Sequence, residues 1–304
     1  MQITDTAVIE IKKAMPGLRA LENEPMRAHC SFRIGGPARL MVLPSSEGEV
    51  VQLCRLLRDL GIRPLVMGRG TNLLVADAGV DNVIVKMGEG LDTVEEEGRH
   101  DLLAGSGVSL ARLAQAAQTR GLSGLEFAHG IPGSLGGAVA MNAGAYGGEM
   151  KDVVMSTVYI GEDLQVHTAT GGDQQFGYRR SGFTNTPRII LHSLIRLKKG
   201  DPEAIAGRMA ELMEKRKASQ PLDLPSAGST FKRPKDGFAA ALIDQAGLKG
   251  YTIGGAQVSP KHAGFVVNVG GATCDDVLRL MDHIRETVLR QSGVELEPEV
   301  RIVR

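Results

Sequence analysis

Between His129 and Glu149 the chain runs nineteen residues without a charge, GIPGSLGGAVAMNAGAYGG, and seven of them are glycine. Such a run can turn sharply where side chains would clash. It can also bring backbone N–H groups against a bulky anion such as a pyrophosphate. In a chain rich in strand and helix signals, the second property points to a nucleotide cofactor. The first describes a tight loop packed against a neighbouring element. Glycine content alone leaves both open.

The rest of the composition narrows the setting. The 304 residues suffice for about two domains. Lys+Arg and Asp+Glu balance at 35 each, so bulk charge offers no argument for nucleic acid or an anionic membrane as partner. Cys30, Cys54 and Cys274 are odd in number, far apart and not in CxxC pairs. Neither a disulfide framework nor a zinc site follows, and a reducing cytoplasm fits. No basic-then-apolar leader opens the sequence and no apolar run reaches about 18 residues, so neither secretion nor a membrane span is expected.

Periodicity predicts a helix over Val8 to Leu21 from Val8, Ile11, Met15 and Leu18. A strand over Leu40–Leu43 leads to a helix capped at Ser45–Glu47, with Val50, Leu53, Cys54, Leu57 and Leu60 on its apolar face. A strand over Pro64–Met67 then runs into Gly68-Arg69-Gly70-Thr71-Asn72. Beyond the uncharged run, Val153–Ile160, Leu164–Thr168 and Ile189–Leu197 read as strands of a mostly antiparallel sheet. Composition changes near Lys198–Pro202. Helices are expected from Ile205 to Met213, over Ala239–Ile243 and over Val277–Leu289, with a closing strand over Val300–Val303. The Walker pattern is absent. Gly68-Arg69-Gly70 and Gly105-Ser106-Gly107 both lack the third glycine of the dinucleotide fingerprint. Two separated glycine-rich loops remain, able to clamp one long cofactor.

Seven segments, in order, carry a resemblance: FRIGGPARLMVLP (Phe32–Pro44), GRGTNLLV (Gly68–Val75), EFAHGIPGSLGGAVAMNAGAYG (Glu126–Gly147), GYRRS (Gly177–Ser181), SAGSTFKRP (Ser226–Pro234), LIDQAGLKG (Leu242–Gly250) and LEPEVRIV (Leu296–Val303). Together they resemble the UDP-N-acetylenolpyruvoylglucosamine reductase (MurB) family over nearly the whole chain. The short run between Ser181 and Ile189 resembles the compact subtype. The resemblance implies an α+β protein: a two-subdomain FAD-binding module of the vanillyl-alcohol-oxidase type followed by an α/β substrate-binding domain. The expected divisions are 1–80, 81–200, 201–293 and a C-terminal strand, 294–304, returning to the flavin. The implied protein is a cytoplasmic monomer of peptidoglycan precursor synthesis, with noncovalent FAD and with NADPH as reductant. The nicotinamide and the UDP-sugar would take turns in one cleft, and no metal is implied.

On this resemblance Ser229 is the expected proton donor. A serine hydroxyl is a weak acid, useful only against a partner as basic as an enolate. Arg179 is the expected polariser of the substrate carboxylate, because guanidinium geometry suits bidentate carboxylate binding. Glu299 matches the family's catalytic glutamate. Arg301, two residues on and expected on the same strand face, would lie near the flavin. FAD is expected to contact Met67, Gly68, Arg69, Gly70, Thr71, Asn72 and Leu73, then Gly130, Ile131, Pro132, Gly133, Ser134, Gly137 and Ala138, with Asn142, Gly144 and Ile190. Tyr178, Lys217, Arg233, Lys261 and His262 are the substrate-binding candidates. The competing readings are an alcohol or sugar oxidase of the same fold, which needs a base rather than a proton donor, and a non-catalytic binding module, which needs neither Ser229 nor Arg179.

Overall fold

The computed structural model describes residues 3–235 and 237–304. Thr4 caps the first helix, α1 (Asp5–Ala14), accepting the Ala7 N–H at 3.2 Å. The apolar spacing extends this helix to Leu21, but Pro16 supplies no donor and disfavours the helical state of Met15 before it. Met15 and Leu18 therefore reach the core from the turn that follows. The chain continues through β1 (Arg19–Pro25) and β2 (Pro37–Leu43) to α2 (Glu47–Asp59), capped by Ser46 as expected. Then come β3 (Leu65–Met67), β4 (Leu73–Val75), β5 (Val80–Lys86), β6 (Val94–Glu97), β7 (Asp101–Gly105), α3 (Leu110–Thr119) and β8 (Leu122–Ser123).

Within the uncharged run lie a short helix, α4 (Leu135–Met141), and a hairpin of β9 (Gly144–Ala145) and β10 (Gly148–Glu149). Next follow β11 (Val154–Ile160), β12 (Val166–Thr170), β13 (Ile189–Arg196), β14 (Lys198–Lys199) and α5 (Pro202–Ser219). The C-terminal third holds α6 (Ala239–Gln245), β15 (Thr252–Ile253), β16 (Ala256–Val258), β17 (Val266–Asn268), α7 (Cys274–Ser292) and β18 (Arg301–Val303).

The chain divides into two compact units. The first comprises the chain through Glu22, Leu40–Arg69 and Asn82–Lys215. It has two cores. One gathers α1, α2 and strand residues such as Leu40, Val83 and Val85; the other gathers α3, α4 and residues such as Leu102, Val154 and Ile195. Its five-stranded sheet, ordered β12-β11-β13-β7-β6, is antiparallel throughout, as the alternating pattern anticipates. A four-stranded sheet is ordered β1-β2-β5-β3.

The second unit comprises Asn23–Arg39, Gly70–Asp81 and Arg216–Arg304. This division differs from a first block running unbroken over 1–80. Phe32, Ile34 and Leu74 bury their side chains with Phe231, Ile243, Val266, Val277, Ile284 and Val300 in one core, and hydrophobic burial decides which elements belong together. Polar clamps reinforce it. Asn268 Nδ2 donates to the Phe32 carbonyl at 3.2 Å, and the Asp77 carboxylate accepts from the Cys274 and Asp275 amides at the start of α7, at 2.8 and 3.2 Å. An anion suits that helix end. β18 pairs in parallel with β4, Arg301 opposite Leu73.

Candidate active site

The first unit builds a glycine-lined cradle. β3 ends at Met67, whose carbonyl accepts the Met87 N–H at 2.8 Å. At Gly68 a Cβ would stand 1.9 Å from Ser134 Oγ, so the two glycine-rich segments meet at a distance that only glycine permits. Ser134 sits at the N-cap of α4, yet its side chain makes no capping bond. The Leu135 and Gly136 amides are committed to the Val108 and Ser106 carbonyls, both at 2.9 Å. Gly137 is exposed. Beside this segment, Ser106 Oγ and His129 Nδ1 are buried polar atoms with no hydrogen-bond partner among the described residues. Close backbone approach and waiting polar atoms are what a cofactor bearing a pyrophosphate requires, so these residues fit FAD.

The other half of the uncharged run does different work. A Cβ on Gly144 would lie 2.7 Å from both Glu149 Cγ and the Gly148 carbonyl. Gly144 is glycine because the hairpin closes on it. The tight-turn reading of the run thus holds for this half. Asn142 departs from the expectation of a flavin contact. It caps α4 in the left-handed conformation and is 2 % exposed. Its amide donates to Glu149 Oε2 at 2.9 Å and to the Gly177 carbonyl at 3.0 Å, and its Oδ1 accepts the Lys151 N–H at 3.0 Å. Those bonds occupy both amide protons inside the protein, so the side chain is spent before any cofactor arrives. Ile190 is buried on β13 in the core that also holds α3 and α4.

Tyr178 and Arg179 sit at the tip of a tight turn. Gly177 N donates to the Arg180 carbonyl at 2.9 Å, and Arg180 N returns the bond at 3.3 Å. Arg179 has a φ of +54°, a conformation that normally selects glycine or asparagine in such a turn. Holding a residue that bears a Cβ there costs about 1–2 kcal/mol. Arg180 lies back over its own turn, its Nε 2.8 Å from where a Gly177 Cβ would be. Tyr178 is 55 % exposed.

The second unit holds Gly70, Thr71, Asn72, Leu73, Ser229, Glu299 and Arg301. Ser31 N donates to the Gly70 carbonyl at 3.2 Å. The segment from Ser226 to Phe231 runs along β17, bridged at Ser226 to Val267 and tied again where Thr230 N donates to the Gly264 carbonyl at 2.9 Å. Ala227, Thr230 and Phe231 are buried, while Ser229 between them is only half-buried. The serine that serves the turn is Ser226, whose Oγ accepts the Gly228 N–H at 3.5 Å. Ser229 Oγ has no hydrogen-bond partner among the described residues. Glu299 N donates to the Thr230 carbonyl at 2.8 Å, which sets the glutamate beside the residue following Ser229. Asn72 Nδ2 donates to the Glu299 carbonyl at 3.0 Å, and Arg301 N donates to the Asn72 carbonyl at 2.9 Å. Glu299 is thus fixed from both sides by its backbone.

One strand-face expectation fails here. Glu299 and Arg301 do not share a face of one strand, because the chain bends at Val300 and β18 begins only at Arg301. The bend arises because the Glu299 and Val300 amides converge on one acceptor, the Thr230 carbonyl, at 2.8 and 3.5 Å.

Among the substrate candidates, the Lys261 ammonium donates to the Lys217 carbonyl at the end of α5, so these two lysines meet. His262 follows, its Nδ1 accepting the Gly264 N–H at 3.1 Å. Burial holds its pKa below the ordinary range, making it a neutral Nε2–H donor rather than a cation for phosphate. Arg233 stacks over the exposed Phe238 ring at 4.0 Å. Sequence reasoning missed Arg216, which is 8 % exposed and the one charged side chain among the buried polar residues described. Its neighbours Lys215 and Lys217 carry the same charge and are exposed, so composition gave no signal to separate it.

Comparison with known proteins agrees with this geometry. Residues 38–170 match an FAD binding domain family, and residues 220–303 match the C-terminal domain of UDP-N-acetylenolpyruvoylglucosamine reductase. The reductase of Caldanaerobacter subterraneus subsp. tengcongensis is 45 % identical over 301 residues, covering 99 % of each chain. That of Bacillus subtilis is 40 % identical over 300 residues, covering 98 % of each. The crystal structure of the Thermus caldophilus enzyme superposes with a TM-score of 0.81 at 33 % identity, covering 94 % of this chain and 99 % of that one. Residues 38–170 thus form an FAD-binding module, and the chain belongs to the UDP-N-acetylenolpyruvoylglucosamine reductase family of oxidoreductases.

Proposed function

We propose that this protein reduces UDP-N-acetylglucosamine enolpyruvate to UDP-N-acetylmuramate with electrons from NADPH. When bound, FAD supplies the hydride for the methylene carbon of the enolpyruvyl group. Arg179 holds the substrate carboxylate through its planar fork and stabilises the negative charge that spreads into it as the double bond is reduced. Ser229 Oγ delivers a proton to the neighbouring carbon. Glu299, beside it, donates a hydrogen bond to the enolate-like species as a neutral carboxyl, or as a carboxylate orients a water that reprotonates the serine. Arg301 adds positive charge for the reduced cofactor. Lys217 and Lys261 contact the diphosphate, His262 donates to the uracil, and Arg233 and Tyr178 complete the substrate contacts. The observation that carries this reading is the Thr230–Glu299 bond, which keeps a hydroxyl uncommitted to its own loop next to a backbone-fixed carboxylate.

An anaerobic titration tests it. NADPH is expected to bleach the yellow protein, and UDP-N-acetylglucosamine enolpyruvate to restore the absorbance at one equivalent per FAD. Failure of that substrate to restore the colour overturns the assignment.

A further inference from the structure

The bonds around Asn142 point to a role that neither the fold nor the reaction assigns. The turn bearing Arg179 is strained at that residue, and of its own it has only the two bonds between Gly177 and Arg180 to close it. What ties it to the rest of the unit is the C-terminal end of α4. Asn142 grips the Gly177 carbonyl at 3.0 Å. Two residues earlier on α4, the Ala140 carbonyl accepts both Ser181 Oγ at 2.9 Å and Thr184 Oγ1 at 2.6 Å. The turn is therefore pinned at its first residue and just past its last, and Arg179 projects from between the pins. Behind Asn142 stands Glu149, which also takes the Lys151 ammonium at 2.8 Å. Its carboxyl is held below the usual range by Lys151 first, then by Asn142, with the Arg179 charge contributing.

We propose that Asn142 is a positioning residue. Its amide fixes the Gly177–Arg180 turn so that Arg179 meets the substrate carboxylate, and Glu149 fixes Asn142. The left-handed backbone of Asn142 serves the same end: it turns the chain out of α4 and brings the amide to Gly177. This rests on the reading of Arg179 as the carboxylate-binding group.

Asn142→Gly tests it cleanly, because glycine keeps the left-handed cap and removes only the amide. The variant is expected to retain FAD and to be bleached by NADPH at the wild-type rate. Its reoxidation by UDP-N-acetylglucosamine enolpyruvate is expected to slow about tenfold or more, the range for losing the support of a functional side chain. Hydrogen exchange of the peptide spanning residues 177–181 is expected to quicken, a readout independent of turnover. Combined with Arg179→Lys, it is expected to add nothing beyond the effect of Arg179→Lys alone. Wild-type reoxidation in N142G, unchanged exchange in the turn, or multiplicative losses in the double variant would each overturn the proposal. If R179K itself reoxidises normally, the Arg179 reading fails instead, while the exchange data still judge the clamp. Should N142G lose FAD, Glu149→Gln carries the test. Slower reoxidation with unchanged bleaching supports the clamp, and unchanged reoxidation overturns it.

Discussion

A serine hydroxyl is a poor acid in water, so its surroundings decide whether it can act. Ser229 differs from the other serine of its loop in one respect: Ser226 is consumed by the Gly228 amide and Ser229 is not. Ser229→Ala is expected to leave reduction by NADPH intact and to slow reoxidation by the enolpyruvyl substrate by about 10²–10⁴-fold, the usual scale of general-acid catalysis. Equal loss in both half-reactions, measured by stopped-flow absorbance, would instead make the residue structural. At this scale the sequence offers Ser229, Arg179 and Glu299 as candidates because residue type and chemistry coincide, and the fold sets Glu299 beside the residue that follows Ser229. The sequence was opaque where the same type serves two ends. Asn142 stands in a run read for its glycines, and nothing local separates an asparagine that binds a cofactor from one that caps a helix in the left-handed state. Arg216 fails for a related reason: burial of one arginine in a basic helix end is decided by the packing of residues distant in sequence.

Helices and strands were legible wherever a period and a stop signal agreed. Ser46 and Gly61 bracket α2, and Gly121 follows α3. At Pro16 the two disagree, because the apolar spacing runs on to Leu21 while the helix ends at Ala14. The bend at Val300 lay beyond sequence reasoning because its cause, the Thr230 carbonyl, comes from another element. α7 shows what a cap contributes. Thr273 and Asp276 bond each other's amides at 3.0 Å, and Asp276 also accepts the Gly255 N–H at 3.2 Å. The Thr273 amide first, then Gly255, holds the Asp276 carboxyl below its ordinary value. The folded state thus favours the ionised form. The stabilisation is complete above the unfolded value near 4 and is lost as pH falls through the lower folded value. Asp276→Ala is expected to cost about 1 kcal/mol at pH 7. Its melting temperature should converge on that of the wild type as pH drops below about 4. A gap that persists undiminished to pH 3 would count against this cap.

For the whole molecule, the seven motifs conveyed the family but not the assignment of short segments to units. β4 pairs with β18, and no local propensity names such a partner. The second unit is consequently assembled from three separated stretches of chain. Arg301–Val303 close that assembly: Val303 accepts the Ala76 amide at 2.8 Å, and Arg301 donates to Asn72. A chain ending at Val300 is therefore expected to lose turnover of the enolpyruvyl substrate and to melt at a lower temperature by differential scanning calorimetry. Full turnover would show that Glu299 needs no strand beside it. The pairing also has a consequence for synthesis. Asn72 and Glu299, which meet in the finished protein, are 227 residues apart. At roughly 5–20 residues per second, a ribosome takes on the order of tens of seconds to travel between them. Through that interval the emerging polypeptide holds Asn72 without the Glu299 carbonyl that its side chain bonds in the folded protein. The second unit therefore closes only after residues 299–303 have emerged, long after its first two stretches have been made.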